Sequence, residues 1–318
     1  VTAIRTVLIA GASGFIGRAL ARELLAAGYE VVGLSRRTNA PAERLPAGLS
    51  FASWDGRTAA GWGGLADGAW AIVNLAGDNL AAGRWTKAKK ARILESRLDA
   101  GAAIVEAVRA VPAKPRVLVQ ASAVGFYGPS GDEELDEDSP PGTSYLAGVV
   151  RAWEDSTKAV EALGVRRAVI RSGLVLGEGG GAWPRLVLPF RFFAGGPLGR
   201  GRQFYSWISL EDEVRAIRHL IEHEDLAGAF DLTAPGPVRQ REFCRILGRA
   251  LHRPCWFPVP AWGLKVLFGE KAVATVLTGQ RVRPRRLLAA GFAFRHPDAA
   301  SAVAALLRSG PPGGSRAG

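Results

Sequence analysis

The chain is poor in sulfur, in histidine and in negative charge. It has two cysteines, Cys244 and Cys255, in 318 residues. Two thiols cannot build a disulfide framework, and their spacing is not that of a metal site. They read as reduced thiols of a cytoplasmic protein. The four histidines do not cluster, and His219 and His223, one helical turn apart, have no third ligand near them in sequence. No metal is therefore expected. No uncharged apolar run reaches membrane-spanning length, and the nearest, "PCWFPVPAWGL", is short and holds three prolines. The first apolar run carries Arg5 and breaks at Gly11, which is not the layout of an export signal. The expectation is a cytoplasmic protein without a membrane partner.

Acidic residues number 29 against 41 Lys and Arg, a net charge of +12. Such an excess can mark nucleic-acid binding or a positive cleft that draws an anionic small molecule. Here the basic residues are spread along helices, with no long basic run and no nucleic-acid module. The expected partner is a phosphate-bearing small molecule and not nucleic acid.

What the chain does have is alternation. "RTVLIAG", "YEVVGLSR", "LSFASW", "WAIVNLAG", "PRVLVQAS" and "RRAVIRSG" are strand-like runs. Helical stretches lie between them, at residues 15–27, 86–110 and 145–163. Strands and helices alternating at this spacing predict βαβ units and a doubly wound parallel sheet, an α/β Rossmann architecture. Runs that are apolar throughout agree with burial on both faces. After Ser172 the chain turns rich in glycine and aromatics, with one amphipathic helix at "LEDEVRAIRHLIEH". The division expected is a dinucleotide-binding domain over 1–172, a smaller C-terminal substrate lobe over 173–308 with segments returning to the first domain, and a flexible tail over 309–318.

"LIAGASGFIGRAL" spaces glycines at Gly11, Gly14 and Gly17 between a strand and a helix. Gly11 permits the tight turn, Gly14 lets backbone approach a pyrophosphate, and Gly17 lets the helix pack close to the sheet. Free N–H groups at the helix start then face phosphate, so Ser13, Phe15 and Ile16 join the candidate cofactor residues. About twenty positions on, an acidic residue would favour NAD. Here the second strand ends in Ser35, Arg36 and Arg37, a set that suits a 2′-phosphate. The cofactor expected is NADP(H). Trp54 and Asp55 close the third strand and are candidates to touch the adenine, Asp55 equally as a helix cap. Leu75, Ala76 and Gly77 would pass beside the cofactor.

These residues carry a family resemblance. "GASGFIGRAL", "IVNLAGDNLAAGRWT", "SAVGFYG", "RSGLVLG", "GGPLGRGRQFYSWI", "FDLTAPGPV" and "GQRVRPRRLLAAGFAFRHP" resemble the extended, atypical short-chain dehydrogenases/reductases. The match is narrower still, to an "epimerase family" subgroup related to nucleoside-diphosphate-sugar epimerases, some of whose members carry a label as SulA-type cell-division inhibitors. The resemblance implies NADP(H), a cleft between two lobes, and a homodimer through the two long helices. It also implies a serine, a tyrosine and a lysine four residues after the tyrosine, because a phenol needs a nearby cation to act as a base near neutrality.

Ser122 and Tyr145 match the first two roles, but counting from Gly128 puts the family's serine on Ala123, and Val149 stands in the place of the lysine. Arg171, Ser172, Gly173 and Val175 match the segment that runs past the nicotinamide. Arg84, Trp85, Tyr127, Arg202, Gln203, Trp207 and Arg281 match the substrate side. The resulting expectation is an NADP(H)-dependent oxidoreductase or epimerase-like protein acting on a small anionic metabolite. An NADP(H)-binding sensor or scaffold without turnover is the alternative.

Overall fold

The computed structural model describes residues 5–36, 46–269 and 277–309. The six apolar runs form β1 (Thr6–Ala10), β2 (Glu30–Ser35), β3 (Ser50–Ser53), β4 (Ala71–Asn74), β5 (Val117–Ala123) and, after the short β6 (Glu134–Leu135), β7 (Arg166–Ser172). Beyond β7 come β8 (Leu174–Leu176), β9 (Phe204–Tyr205), β10 (Trp207–Ser209), β11 (Gly228–Leu232), β12 (Val238–Arg239) and β13 (Arg281–Val282). The main sheet has seven parallel strands in the order β11-β7-β5-β4-β1-β2-β3. It reverses direction of growth at β1, and ligands of open α/β sheets bind beyond the carboxyl ends of strands at such a point.

Helices cover both faces, which is why the strands lack polar alternation. Val7 and Ile9 of β1 join a core built with α1 (Phe15–Ala26) and α5 (Leu210–Glu222). Leu8 and Ala10 point the other way, into a core built with α2 (Lys87–Ala110). α3 (Tyr145–Asp155) packs on α2 and β5.

A third core fills the small lobe. Trp183 and Phe190 of α4 (Trp183–Arg191), Phe243 and Leu247 of α6 (Gln240–Leu251), and Trp207 lie together there. α7 (Ala261–Phe268), α8 (Arg285–Ala289) and α9 (Ala299–Ser309) complete the chain. No helix of the described residues is long and apolar enough to cross a membrane.

The single helix expected over 145–163 is in fact two pieces. α3 ends at Asp155, and a 3-10 helix runs over Lys158–Leu163. Between them the Ser156 hydroxyl donates back to the Trp153 carbonyl at 2.7 Å. It presses on Gly101 of α2, where a side chain would collide with it. Helix packing at that glycine accompanies the break. The strand β11 is one of the returning segments, pairing with β7 along its whole length.

Candidate functional site

The glycine turn joins β1 to α1 at the carboxyl edge of the sheet. Gly11 sits at φ +88°, where only glycine is unstrained, and a Cβ there would lie 3.0 Å from the Leu75 carbonyl oxygen. A Cβ on Gly17 would collide with the Gly11 carbonyl and lie 2.8 Å from the Ala12 Cα. The Gly14 N–H closes the turn on the Gly11 carbonyl at 2.9 Å. Gly14 is the N-cap and offers no side-chain bond, so the first-turn N–H groups stay available for an anion. Ser13 is exposed, with its carbonyl held by Arg18 at 2.7 Å. Phe15 and Ile16 are half-buried, and the Phe15 ring lies under Gly177, Gly180 and Gly181 of the loop after β8. This cradle fits a dinucleotide pyrophosphate.

Ser35 is buried at the end of β2, and Arg36 is exposed with its stem beside Gly56. Arg37 lies outside the described residues. Trp54 is turned into the core, 4% exposed, with its indole N–H on the Thr58 carbonyl at 2.9 Å and its ring edge-on to Trp62. The Asp55 carboxylate accepts from the N–H groups of Arg57 and Thr58 at 2.7 and 2.9 Å. These bonds hold it below the usual carboxylate range. It caps the turn after β3 and not a helix, since the next helical turn begins only at Gly63.

Past β4, Asn74 donates to Gln120 at 2.9 Å and accepts from the Ala76 N–H at 3.2 Å, which shapes the turn through Leu75, Ala76 and Gly77. Sequence reasoning missed what lies against Gly77. The Arg97 guanidinium of α2 packs on it, donates to the carbonyls of Asp78 and Ile93 at 3.2 and 2.8 Å, and stacks on Trp153. Burial pulls Arg97 down to about 10. Asp78 also pairs with Lys89 at 2.7 Å.

Ser122 and Arg171 are register partners on β5 and β7. The Ser122 hydroxyl donates to Glu154 of α3 at 2.5 Å, and Arg171 pairs with the same carboxylate at 2.9 Å. Arg171 also donates to the Tyr127 hydroxyl at 3.1 Å and lies 3.5 Å above the Phe126 ring. Tyr127 in turn donates to Asp231 of β11 at 2.8 Å. Burial and the Asp231 charge push the Tyr127 phenol up, and burial with Glu137 pushes Asp231 up. Burial opposes the Arg171 charge, but the bonds to Glu154 outweigh it and raise that group.

Ala123 pairs in register with Ser172, whose hydroxyl donates to Glu213 of α5 at 2.6 Å. Glu213 is fully buried, its second carboxylate oxygen has no partner among the described residues, and burial pushes it up to about 8. Gly173 presses on the Ser206 carbonyl, and Val175 packs at the edge of the core under α5.

Tyr145 opens α3, capped by Ser144. Its hydroxyl donates to the Lys90 carbonyl at 3.1 Å, the Lys90 ammonium lies 4.8 Å from its ring centre, and Trp85 meets the ring edge-on. Val149 is buried. Arg84 is exposed at the tip of the loop before α2.

On the small-lobe side a cleft of about 950 Å³ is lined by Arg200, Arg202, Gln203, Arg239 and Arg241, with Asp132 paired to Arg239 at 2.8 Å. Arg281 stands nearby and pairs with Glu134 at 3.1 Å. Trp207 is fully buried, its indole N–H on the Gly236 carbonyl at 3.0 Å, and belongs to the small-lobe core. Arg239 and Arg241 were not foreseen, because β12 and the start of α6 meet the loop of Arg200 to Gln203 only in the fold. Among the described residues no group of three or more potential metal ligands comes together.

Residues 7–231 match the NAD dependent epimerase/dehydratase family, and residues 259–306 match a domain of unknown function, DUF1731. The chain is 40% identical over 305 residues to the chloroplastic SDR39U1 homolog of Arabidopsis thaliana, an epimerase family protein, covering 95% of this chain and 87% of that one. It is 35% identical over 303 residues to the epimerase family protein YfhF of Bacillus subtilis, covering 95% and 97%. Among solved structures, the human epimerase family protein SDR39U1 (isoform2) with NADPH superposes at a TM-score of 0.86 with 34% identity, covering 96% and 99%.

Proposed function

Because the chain belongs to the NAD dependent epimerase/dehydratase family, we propose that it binds NADP(H) and acts as an oxidoreductase or sugar-nucleotide-epimerase-like protein on a small anionic metabolite. The observation that carries the reading is the glycine cradle followed by Ser35 and Arg36 at the end of β2. The NADPH present in the human relative's structure supports it. When bound, the nicotinamide supplies a hydride donor or acceptor at its C4 carbon.

In this reading residues 1–172 hold the cofactor and 173–308 the substrate. The backbone of Gly11 to Gly17 holds the pyrophosphate, and Ser35, Arg36 and Arg37 take the 2′-phosphate. Leu75 to Gly77, Ser172, Gly173 and Val175 border the ring end. Ser122 and Tyr145 handle the proton. Val149 leaves α3 without its lysine, and Lys90 of α2, whose ammonium lies over the Tyr145 ring, is the cation that serves in its place. The four arginines of the 950 Å³ cleft favour an anionic substrate. A homodimer through α2 and α3 belongs to the same reading, and a monomer by light scattering would refute it.

One observation favours a second reading, a cofactor-binding sensor without turnover. The hydroxyls of both proton-handling residues are engaged with the protein, Ser122 on Glu154 and Tyr145 on the Lys90 carbonyl.

Titration with NADPH and NADH tests the first part. NADPH should bind about tenfold tighter or better, one charge-assisted bond being worth that much, and Arg36→Glu should erase the difference. Equal affinities in the wild type would sink the assignment. Change in cofactor absorbance on incubation with a metabolite library separates turnover from sensing.

A further inference from the structure

Among the described residues nine large hydrophobic side chains are exposed, and seven of them sit in the small lobe. Leu188 lies on α4 and Phe192 and Phe193 follow its last residue, Trp256 and Phe257 lie in the loop after α6, and Trp262 and Val266 lie one turn apart on α7. These segments form one surface. The Phe257 N–H bonds the Gly195 carbonyl at 3.1 Å, the Val259 N–H bonds the Pro197 carbonyl at 2.9 Å, and the Gly199 N–H bonds the Val259 carbonyl at 2.8 Å. The Arg253 guanidinium lies 4.4 Å above the Phe193 ring.

The surface is charged with one sign. Arg185 and Arg191 flank the α4 rings, and residues 183–200 hold no acid. Over residues 240–263 Arg241, Arg245, Arg249 and Arg253 face a single acid, Glu242. A hollow of about 430 Å³ opens there, lined by Arg245, Arg249, His252, Arg253 and Cys255.

We propose that this face docks on the surface of an anionic phospholipid bilayer. The indole and phenyl rings enter the boundary between headgroups and acyl chains, and Arg245, Arg249 and Arg253 meet lipid phosphates. Tryptophan and phenylalanine favour that boundary, and guanidinium groups bind phosphate as charge-assisted forks. The aromatic side chains stand 57–74% exposed, and the hollow beside them is lined by arginines and not by apolar side chains that would receive the apolar face of a peptide helix. A second copy of the chain would bring two sets of arginines face to face, which like-charge repulsion opposes. The lack of a spanning helix among the described residues does not bear on this, since the contact lies on the membrane and not across it. Gly199 and Ala261 also line the 950 Å³ cleft, so the surface adjoins the small lobe's main opening.

Flotation of the full chain with vesicles tests the proposal. The wild type should float with phosphatidylcholine vesicles containing phosphatidylglycerol, not with pure phosphatidylcholine, and added salt should weaken the effect. Two separate double variants, Trp256→Ser with Phe257→Ser and Arg245→Gln with Arg249→Gln, should each lower the bound fraction about tenfold at an unchanged melting temperature. No flotation of the wild type, or flotation undiminished in either folded variant, would overturn it. So would finding that the same variants instead abolish binding to a random RNA or dissociate a dimer.

Discussion

Replacing Glu213 by glutamine should stabilise the protein in a way that grows with pH. In the folded state Glu213 has no exposed surface and one bond, from Ser172. Burial pushes it up to about 8 from an ordinary value of 4.5. Between those two values an unfolded chain has released the proton that the folded chain still holds, so stability falls as pH rises. This contribution is complete below 4.5, declines above it, and is gone once the pH passes about 8. The whole span is worth about 5 kcal/mol, at about 1.4 kcal/mol per pH unit. Glutamine keeps the shape and cannot ionise. At the acid end the two proteins should agree within about 1–2 kcal/mol, the difference of one buried polar partner. Urea unfolding of both proteins from about pH 5 to about pH 8.5 measures the effect. Asp231 is pushed in the same direction, so the wild-type slope is composite and the difference between the two proteins is the diagnostic quantity. Parallel curves across this range would refute the reasoning.

Arg171→Gln should cost about 2–4 kcal/mol in urea unfolding, because it leaves the largely covered Glu154 carboxylate with only the Ser122 hydroxyl; a loss under about 1 kcal/mol would count against the network. Gly17→Ala should lower the melting temperature and abolish saturable NADPH binding, since the new methyl collides with the Gly11 carbonyl; wild-type binding by this variant would contradict the cradle. Arg97→Leu should weaken NADPH binding about tenfold through loss of a charged hydrogen-bonding group beside Gly77, and Arg97→Lys should recover most of it. Equal affinity in all three would remove Arg97 from the site.

The β1 turn and the six strands were legible because their signals are local. A glycine triplet between an apolar run and an amphipathic helix needs no knowledge of distant residues. The same holds for Ser35 and Arg36, which follow from strand length. Arg171 is different. Its bonds run to Glu154, Tyr127 and the carbonyl of Glu137, which come from α3, the turn after β5 and the loop after β6, and only the tertiary fold brings these together. Arg97 was hidden for a related reason: on a helix of many charges, nothing in the local pattern marks the one arginine folded onto Gly77. Trp54 went to the core because an indole at a strand end gains much from burial, which no local pattern marks. The break after Asp155 coincides with the contact of Ser156 with Gly101, a tertiary event that helix propensity does not encode.

The pairing of β11 with β7 decides how separable the two lobes are. The chain leaves the sheet at Ser172, builds the first part of the small lobe, comes back to supply an edge strand, and then completes the lobe. A fragment ending at residue 172 would leave β7 as a bare edge, a template for aggregation. It would also lack Asp231, the acceptor for Tyr127. The lobes are thus not modules to be exchanged or expressed singly. The last strand is a seam, and melting one side should undo the other in a single cooperative step.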